Sequence, residues 1–317
     1  MYYIRMARLL RAARYLHAID PQQERTIESV DVKALVLGPR AQALEPVNGA
    51  PRLSRATAAL LSEAAIVDER GERRSVLLPA ERPLRVVLDD RELVTLMTLG
   101  AAPEWLTVGY LRNQRVIEQV DKLDSVIADW VSGTVRVQSH AGEDSHGTLH
   151  SPLARSGCAL GTAFGDPMRA IEGLEFPPAR GASISRSVLL SILETMREHD
   201  DIHRAAGSVH SCALFGAQEL WLSIEDVSRH NGVDTITGWM ALHGVHGGDK
   251  ILFTTGRLTG EMVMKAAFNG IPILITRNGV TDLGHRIATQ LRMTLFGRAS
   301  NRRYLCYSGL ERFDPDA

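Results

Sequence analysis

The chain has 317 residues, 44% of them apolar, with 36 basic against 37 acidic side chains and a formal net charge of −1. A chain of this length and apolar content can bury the core of one large or two ordinary domains. The balanced charge excludes a global field drawing it onto nucleic acid or an anionic membrane, so any anion site must be local. Three cysteines, Cys158, Cys212 and Cys306, are too scattered for a zinc knuckle and too odd in number for complete pairing, which fits reduced thiols in a cytoplasm.

In chain order, Ile4, Leu9, Leu10, Ala13 and Leu16 alternate with Arg5, Arg8, Arg11 and Arg14 as a basic amphipathic helix would, packed on its own protein, on a partner or on a membrane surface. The arginines break the apolar run that a signal peptide needs, and no window reaches the roughly 18 apolar residues of a membrane span. Prolines punctuate the stretch that follows, a short helix is expected over 54–65, and residues 1–67 read as an extension. Residues 85–88 and 93–97 flank Asp89, Asp90, Arg91 and Glu92 as a hairpin, a helix follows over 103–113, and strands within 116–127 and 133–139 complete a small β-rich domain over 68–150.

Residues 151–182 form a loop segment in which Gly157, Gly161 and Gly165 surround Cys158. A thiol among small residues, with Arg155 near it, suits a reactive thiolate, and equally a semi-buried structural cysteine. From 183 to 317 helices are expected over 183–199, 231–243, 261–269 and 282–291, alternating with strands ending at Glu225 and over 250–254, 272–276 and 294–296. That alternation predicts an α/β layered domain around a mostly parallel sheet.

Three stretches of this half carry chemistry-bearing residues. WLSIEDVSRHNGVDTI, residues 221–236, runs from an apolar strand into Glu225, Asp226, Ser228, Arg229, His230 and Asn231. Such a burst at the carboxyl end of a strand is where α/β sheets meet ligands, and it is also how a helix start or an ion-pair network is written. The TTGRLTGE turn offers Gly256, Arg257 and Gly260 at a helix start, a pattern for phosphate or simply for a cap. In FGRASNRRYLCY the cluster Arg298, Ala299, Ser300, Asn301, Arg302 and Arg303 follows a strand, as an anion grip or as a solvated face.

These stretches also carry a resemblance. EDVSRHNGVD is similar to the EDVGRHNAxDK signature of the formate dehydrogenase accessory sulfurtransferase family, FdhD/NarQ. Residues 254–276 resemble that family's SGRxSxEMVxKxxxAGIPIL segment, residues 206–214, which include His210, resemble its TGGxHAA segment, and weaker agreement runs from about 68 to 313. The resemblance implies a cytidine deaminase-like three-layer α/β/α carboxy-terminal domain beside the smaller β-rich one, a homodimer, and the molybdenum bis-guanine dinucleotide cofactor, or its tungsten counterpart, as cargo with GDP as a mimic. Cys158 falls on the first cysteine of the family's S-x-C-G-x-C-G loop, which implies a persulfide there, filled by a cysteine desulfurase and passed on for formate dehydrogenase. Gly161 stands where the second cysteine is usual, which leaves a cofactor-binding chaperone as the alternative. Cofactor contacts are implied for His210, Glu225, Asp226, Arg229, His230, Asn231, Gly256, Arg257 and residues 298–303. No metal ligands are expected: His210 lacks a glutamate two residues on, and no C-x-x-C occurs.

Overall fold

The computed structural model describes residues 33–140, 167–174, 176 and 182–316, and residues 33–317 make one compact unit. Two sheets organise it. The larger has seven strands: β1 (Leu35–Leu37), β10 (His210–Gly216), β11 (Glu219–Asp226), β12 (Lys250–Thr254), β13 (Ile273–Thr276), β14 (Thr294–Ser300) and β15 (Arg303–Ser308), in the order β1-β11-β10-β12-β13-β14-β15. The smaller has five: β2 (Arg52–Leu53), β5 (Arg82–Leu88), β6 (Arg91–Thr98), β7 (Leu123–Asp129) and β8 (Thr134–Ser139), in the order β2-β7-β8-β5-β6. Strands β3 (Leu61–Val67) and β4 (Arg73–Pro79) form a separate hairpin, and β9 (Ile184–Ser185) pairs with β16 (Phe313–Asp314).

Alternation along the large sheet sends successive side chains to two cores. Leu214, Leu222, Ile224, Leu252, Leu274 and Leu295 pack beneath α6 (Arg229–Leu242), α7 (Gly260–Phe268) and α8 (Asp282–Gln290). Ala213, Phe215, Ile251, Phe253, Ile273 and Ile275 meet Leu189, Ile192, Leu193 and Met196 of α4 (Arg186–Glu198) on the other face. The result is a three-layer arrangement, helices on both sides of a mixed sheet. Helix α4 begins where Ser185 Oγ accepts the amide of Val188 at 3.2 Å, as an N-cap should. Short helices α1 (Pro39–Gln42), α3 (Pro167–Ala170) and α5 (Asp201–Ala206) complete the set among the described residues.

The two sheets share a helical seam. Helix α2 (Pro103–Asn113) covers the five-stranded sheet with Leu106, Tyr110 and Leu111 and turns its other side to α6. The backbones approach so closely there that a Cβ on Gly109 would stand 1.7 Å from the carbonyl oxygen of Asp234, and one on Gly238 would stand 1.9 Å from that of Trp105. Only glycine fits either position.

Three expectations are corrected. Residues 54–65 are not helical: 54–60 are irregular and Leu61 opens β3, because a tight turn at Asp68, whose Oδ1 accepts the amides of Arg70 and Glu72, folds β4 back onto it. The sheet is not mostly parallel. Only the neighbouring pairs β12–β13 and β13–β14 are parallel, since β10 and β11, and again β14 and β15, are joined by turns too short for a crossover. Nor does residue 67 close a separate block, because β1 pairs with β11, β2 pairs with β7, and the β3–β4 hairpin straddles it. Residues 1–32, with the expected amphipathic helix, and residues 141–166, with the surroundings of Cys158, lie outside the described residues.

Candidate functional site

Strand register brings the chemistry-bearing stretches to one edge of the seven-stranded sheet. Cys212 lies opposite Thr254 and Thr254 opposite Thr276, so the start of β10 meets the ends of β12 and β13; His210 opposite Asp226 adds the end of β11. Strand β14 runs on past the last residue of β13, and its Arg298 donates its amide to the carbonyl of Asn278 at 2.7 Å. The loops after β12 and β13 are locked together, Leu258 donating to Gly279 and Thr281 to Leu258, each at 3.0 Å.

Helices α6, α7 and α8 all start from this edge. Neither Ser228 nor Thr259 turns its hydroxyl back to cap α6 or α7, whereas Thr281 accepts the amide of Gly284 at 3.3 Å and caps α8. Uncapped first turns present amides and the positive end of the helix dipole, which favour an anion. Cationic side chains crowd the same place. Burial first, then the charges of Arg229, His230, His203 and Arg257, holds the half-buried His210 below the ordinary histidine range. Arg257, Arg298, Arg302 and Arg303 are exposed. The edge is therefore a local field of positive charge on a chain with almost none overall, suited to holding a phosphorylated ligand.

Behind that surface lies a buried ionic chain. His230 Nδ1 is 3.3 Å from Glu261 Oε1, though not aligned for a hydrogen bond; Lys265 Nζ is 3.7 Å from Glu261 and 2.8 Å from Asp234, and Asn113 Nδ2 donates to Asp234 at 2.7 Å. Burial raises the Glu261 carboxyl, but His230, Lys265 and Arg229 outweigh it and hold the group below the ordinary range, so it is ionised. The charged carboxylate of Glu261 thus stands directly behind the His230 imidazole.

Several predicted contacts turn out to be internal. Glu225 accepts the amides of Ile202 at 2.7 Å and His203 at 3.0 Å, serving as the acceptor for the first turn of α5, and burial pushes it up to about 7. Asp226, pushed up to about 6 by burial, accepts Thr98 Oγ1, the Leu99 amide, the Ser228 amide and Asn231 Nδ2. Asn231 also donates to the Met97 carbonyl at 2.7 Å. Gly256 does not open room for an anion: a Cβ there would stand 2.5 Å from Cδ of Arg229, and one on Gly260 would stand 2.7 Å from Leu283. These glycines admit neighbouring side chains. Ala299 is fully buried in the core on the α4 side.

The edge thus brings together His210, Arg229, His230, Arg257 and Arg298, with Ser300, Asn301, Arg302 and Arg303 on the exposed turn joining β14 to β15. Cys158 lies outside the described residues, as do Arg155 and Gly161. Cys212 is not a second thiol for it, being wholly buried, pushed up to about 12 by that burial, with Thr254 Oγ1 at 3.3 Å. Two clefts of about 470 and 490 Å3 lie away from this edge, one over Asp89, Arg136 and His140 and the other beside Gly216, Trp221 and Ile273.

Sequence reasoning missed Arg277, Glu261 and Lys265. Arg277 follows strand β13 directly, pairs with Asp200 and lies over the Phe253 ring with 5.4 Å to the centroid. The rule that singled out Glu225, a polar residue at a strand's carboxyl end, finds it. Lys265 carried no such signal, since a lysine in a helix reads as solvent-facing until its burial is known.

Among the described residues no helix is long and apolar enough to cross a membrane. In comparisons with known proteins, this chain is 28% identical over 250 residues to the sulfur carrier protein FdhD of Bacillus subtilis, covering 77% of this chain and 94% of that one. It is 26% identical over 236 residues to the same-named protein of Bacillus pumilus, covering 73% and 88%. In fold it matches the crystal structure of a Desulfotalea psychrophila protein assigned as a formate dehydrogenase accessory protein, with TM-score 0.64, 23% identity, and coverage of 80% of this chain and 98% of that one. The model of the FdhD/NarQ family matches residues 79–314, from the last residue of β4 to the last described strand, and the chain belongs to that family.

Proposed function

We propose that this chain is a sulfur carrier in the maturation of formate dehydrogenase, working in the cytoplasm on a molybdenum bis-guanine dinucleotide cofactor as cargo. What supports the reading is the sheet edge: uncapped starts of α6 and α7 and the basic side chains Arg229, His230, Arg257 and Arg298 converge there, in a chain whose relatives are named sulfur carriers. Two guanine dinucleotide arms carry pyrophosphates, and the exposed Arg302 and Arg303 lie on the turn that β14 extends past β13. In this reading Glu225, Asp226 and Asn231 build the site without touching the ligand.

The sulfur enters by exchange. The Cys158 thiolate attacks the terminal sulfur of a cysteine desulfurase persulfide, a new S–S bond forms on Cys158, the donor's S–S bond breaks, and its thiolate leaves. Delivery as sulfide takes two further electrons, which a thiol reductant supplies. Gly161, in place of a second cysteine, favours a second reading in which the chain delivers the cofactor without moving sulfur. A Cys158→Ser variant separates the two. Under the carrier reading it binds GDP as the wild type does and fails to activate formate dehydrogenase; full activation by the variant leaves the delivery role, and a wild type that binds no GDP removes both.

A further inference from the structure

The Asp226 carboxylate has no acceptor position left for a ligand. Oδ2 accepts Thr98 Oγ1 at 2.5 Å and the Leu99 amide at 3.1 Å; Oδ1 accepts the Ser228 amide at 3.0 Å and Asn231 Nδ2 at 2.8 Å. Those four donors occupy the lone-pair positions of both oxygens. They come in two pairs, one from the end of β6 in the smaller sheet and one from the start of α6 on the larger sheet. Asn231 closes a second link to β6 through the Met97 carbonyl at 2.7 Å.

Thr98 is 1% exposed, and its oxygen already accepts the Gly100 amide at 3.1 Å, so its proton is committed to Asp226. Arg229 and His230 stand between Ser228 and Asn231, the two residues of this stretch that Asp226 holds. We propose that Thr98 is a positioning residue for the anion site, acting through Asp226 to fix the first turn of α6 and, with it, Arg229 and His230. The smaller sheet thereby becomes part of the site without contributing a ligand to it. Its consequence for nucleotide binding rests on the function proposed above; the latch itself does not.

Thr98→Val keeps the shape of the side chain and removes the hydroxyl, Thr98→Ser restores it, and Val86→Ala opens a void in the same sheet as a control for loosened packing. In the ligand-free full chain, the imidazole 15N signals of His230, assigned by their loss in His230→Gln, shift in Thr98→Val, return in Thr98→Ser and stay put in Val86→Ala. GDP affinity by calorimetry falls roughly tenfold in Thr98→Val, about 1.4 kcal/mol, and stays near wild type in the other two. Thr98→Cys, a weak donor of similar size, makes the same comparison where the valine variant is insoluble. Unmoved His230 signals in both Thr98→Val and Thr98→Cys overturn the proposal, as does an equal movement in Val86→Ala. A wild type that binds no GDP sinks the nucleotide reading, while the His230 signals still decide the latch.

Discussion

Glu225 and Asp226 are adjacent, both acidic and both at a strand's end, yet their partners differ, since Glu225 receives the first turn of α5 while Asp226 joins two sheets. Their burial as carboxyls has a pH signature. Glu225 stands at about 7 against an ordinary 4.5, and Asp226 at about 6 against 3.8. Between those ordinary values and the raised ones, the folded chain keeps protons that the unfolded chain has released. Their contribution to stability therefore falls as pH rises through that window and levels off above about 7. Replacing Glu225 with Gln removes its share, so the slope of Tm against pH between 5 and 7 becomes flatter than in the wild type; an unaltered slope rejects the raised value. At this scale the sequence was legible as a cluster of chemistry but not as an assignment of ligands. Six polar residues within the seven positions 225–231 announce a site, whereas which of them face inward depends on Thr98, more than a hundred residues away in the chain.

At the scale of elements, the seam of α2 and α6 carries the attachment of one sheet to the other. Gly238→Ala puts a methyl against the Trp105 carbonyl, 1.9 Å from where its Cβ would stand, and a backbone cannot step aside as a side chain can. We expect a loss of at least about 2 kcal/mol, read as a lower urea midpoint; a midpoint within error of wild type shows that the helices do not approach so closely. Most elements could be read from their own residues. The spacing over 103–113 gave α2 with its bounds, and KILFT gave β12, because a proline start and a short β-branched run are local signals. The stretch 54–65 misled for the opposite reason. Its leucines and alanines suit a helix, and only pairing with β4 makes part of it a strand. The direction of β10 and β15 was equally hidden, being set by turn length and partner rather than by pattern.

At the scale of the molecule, family agreement located the α/β half and the polar edge but was silent about the segment before residue 68, and that silence concealed a structural role. Three residues of that segment, Leu35–Leu37, lie antiparallel against Ile224, Ser223 and Leu222, and Gly38 donates its amide to the Trp221 carbonyl at 2.8 Å. Gly38 fits so tightly that a Cβ would stand 1.9 Å from the Leu220 carbonyl oxygen. A protein engineer trimming the gene to the matched span, starting at residue 79, would strip off this sealing ribbon. The strand that ends in Glu225 and Asp226 would then offer unmet amides and carbonyls to any passing neighbour. We expect such a shortened product to clump, seen as growing particle size in light scattering, while the full-length chain stays dispersed; a trimmed protein that remains dispersed with an unchanged Tm shows the ribbon to be dispensable.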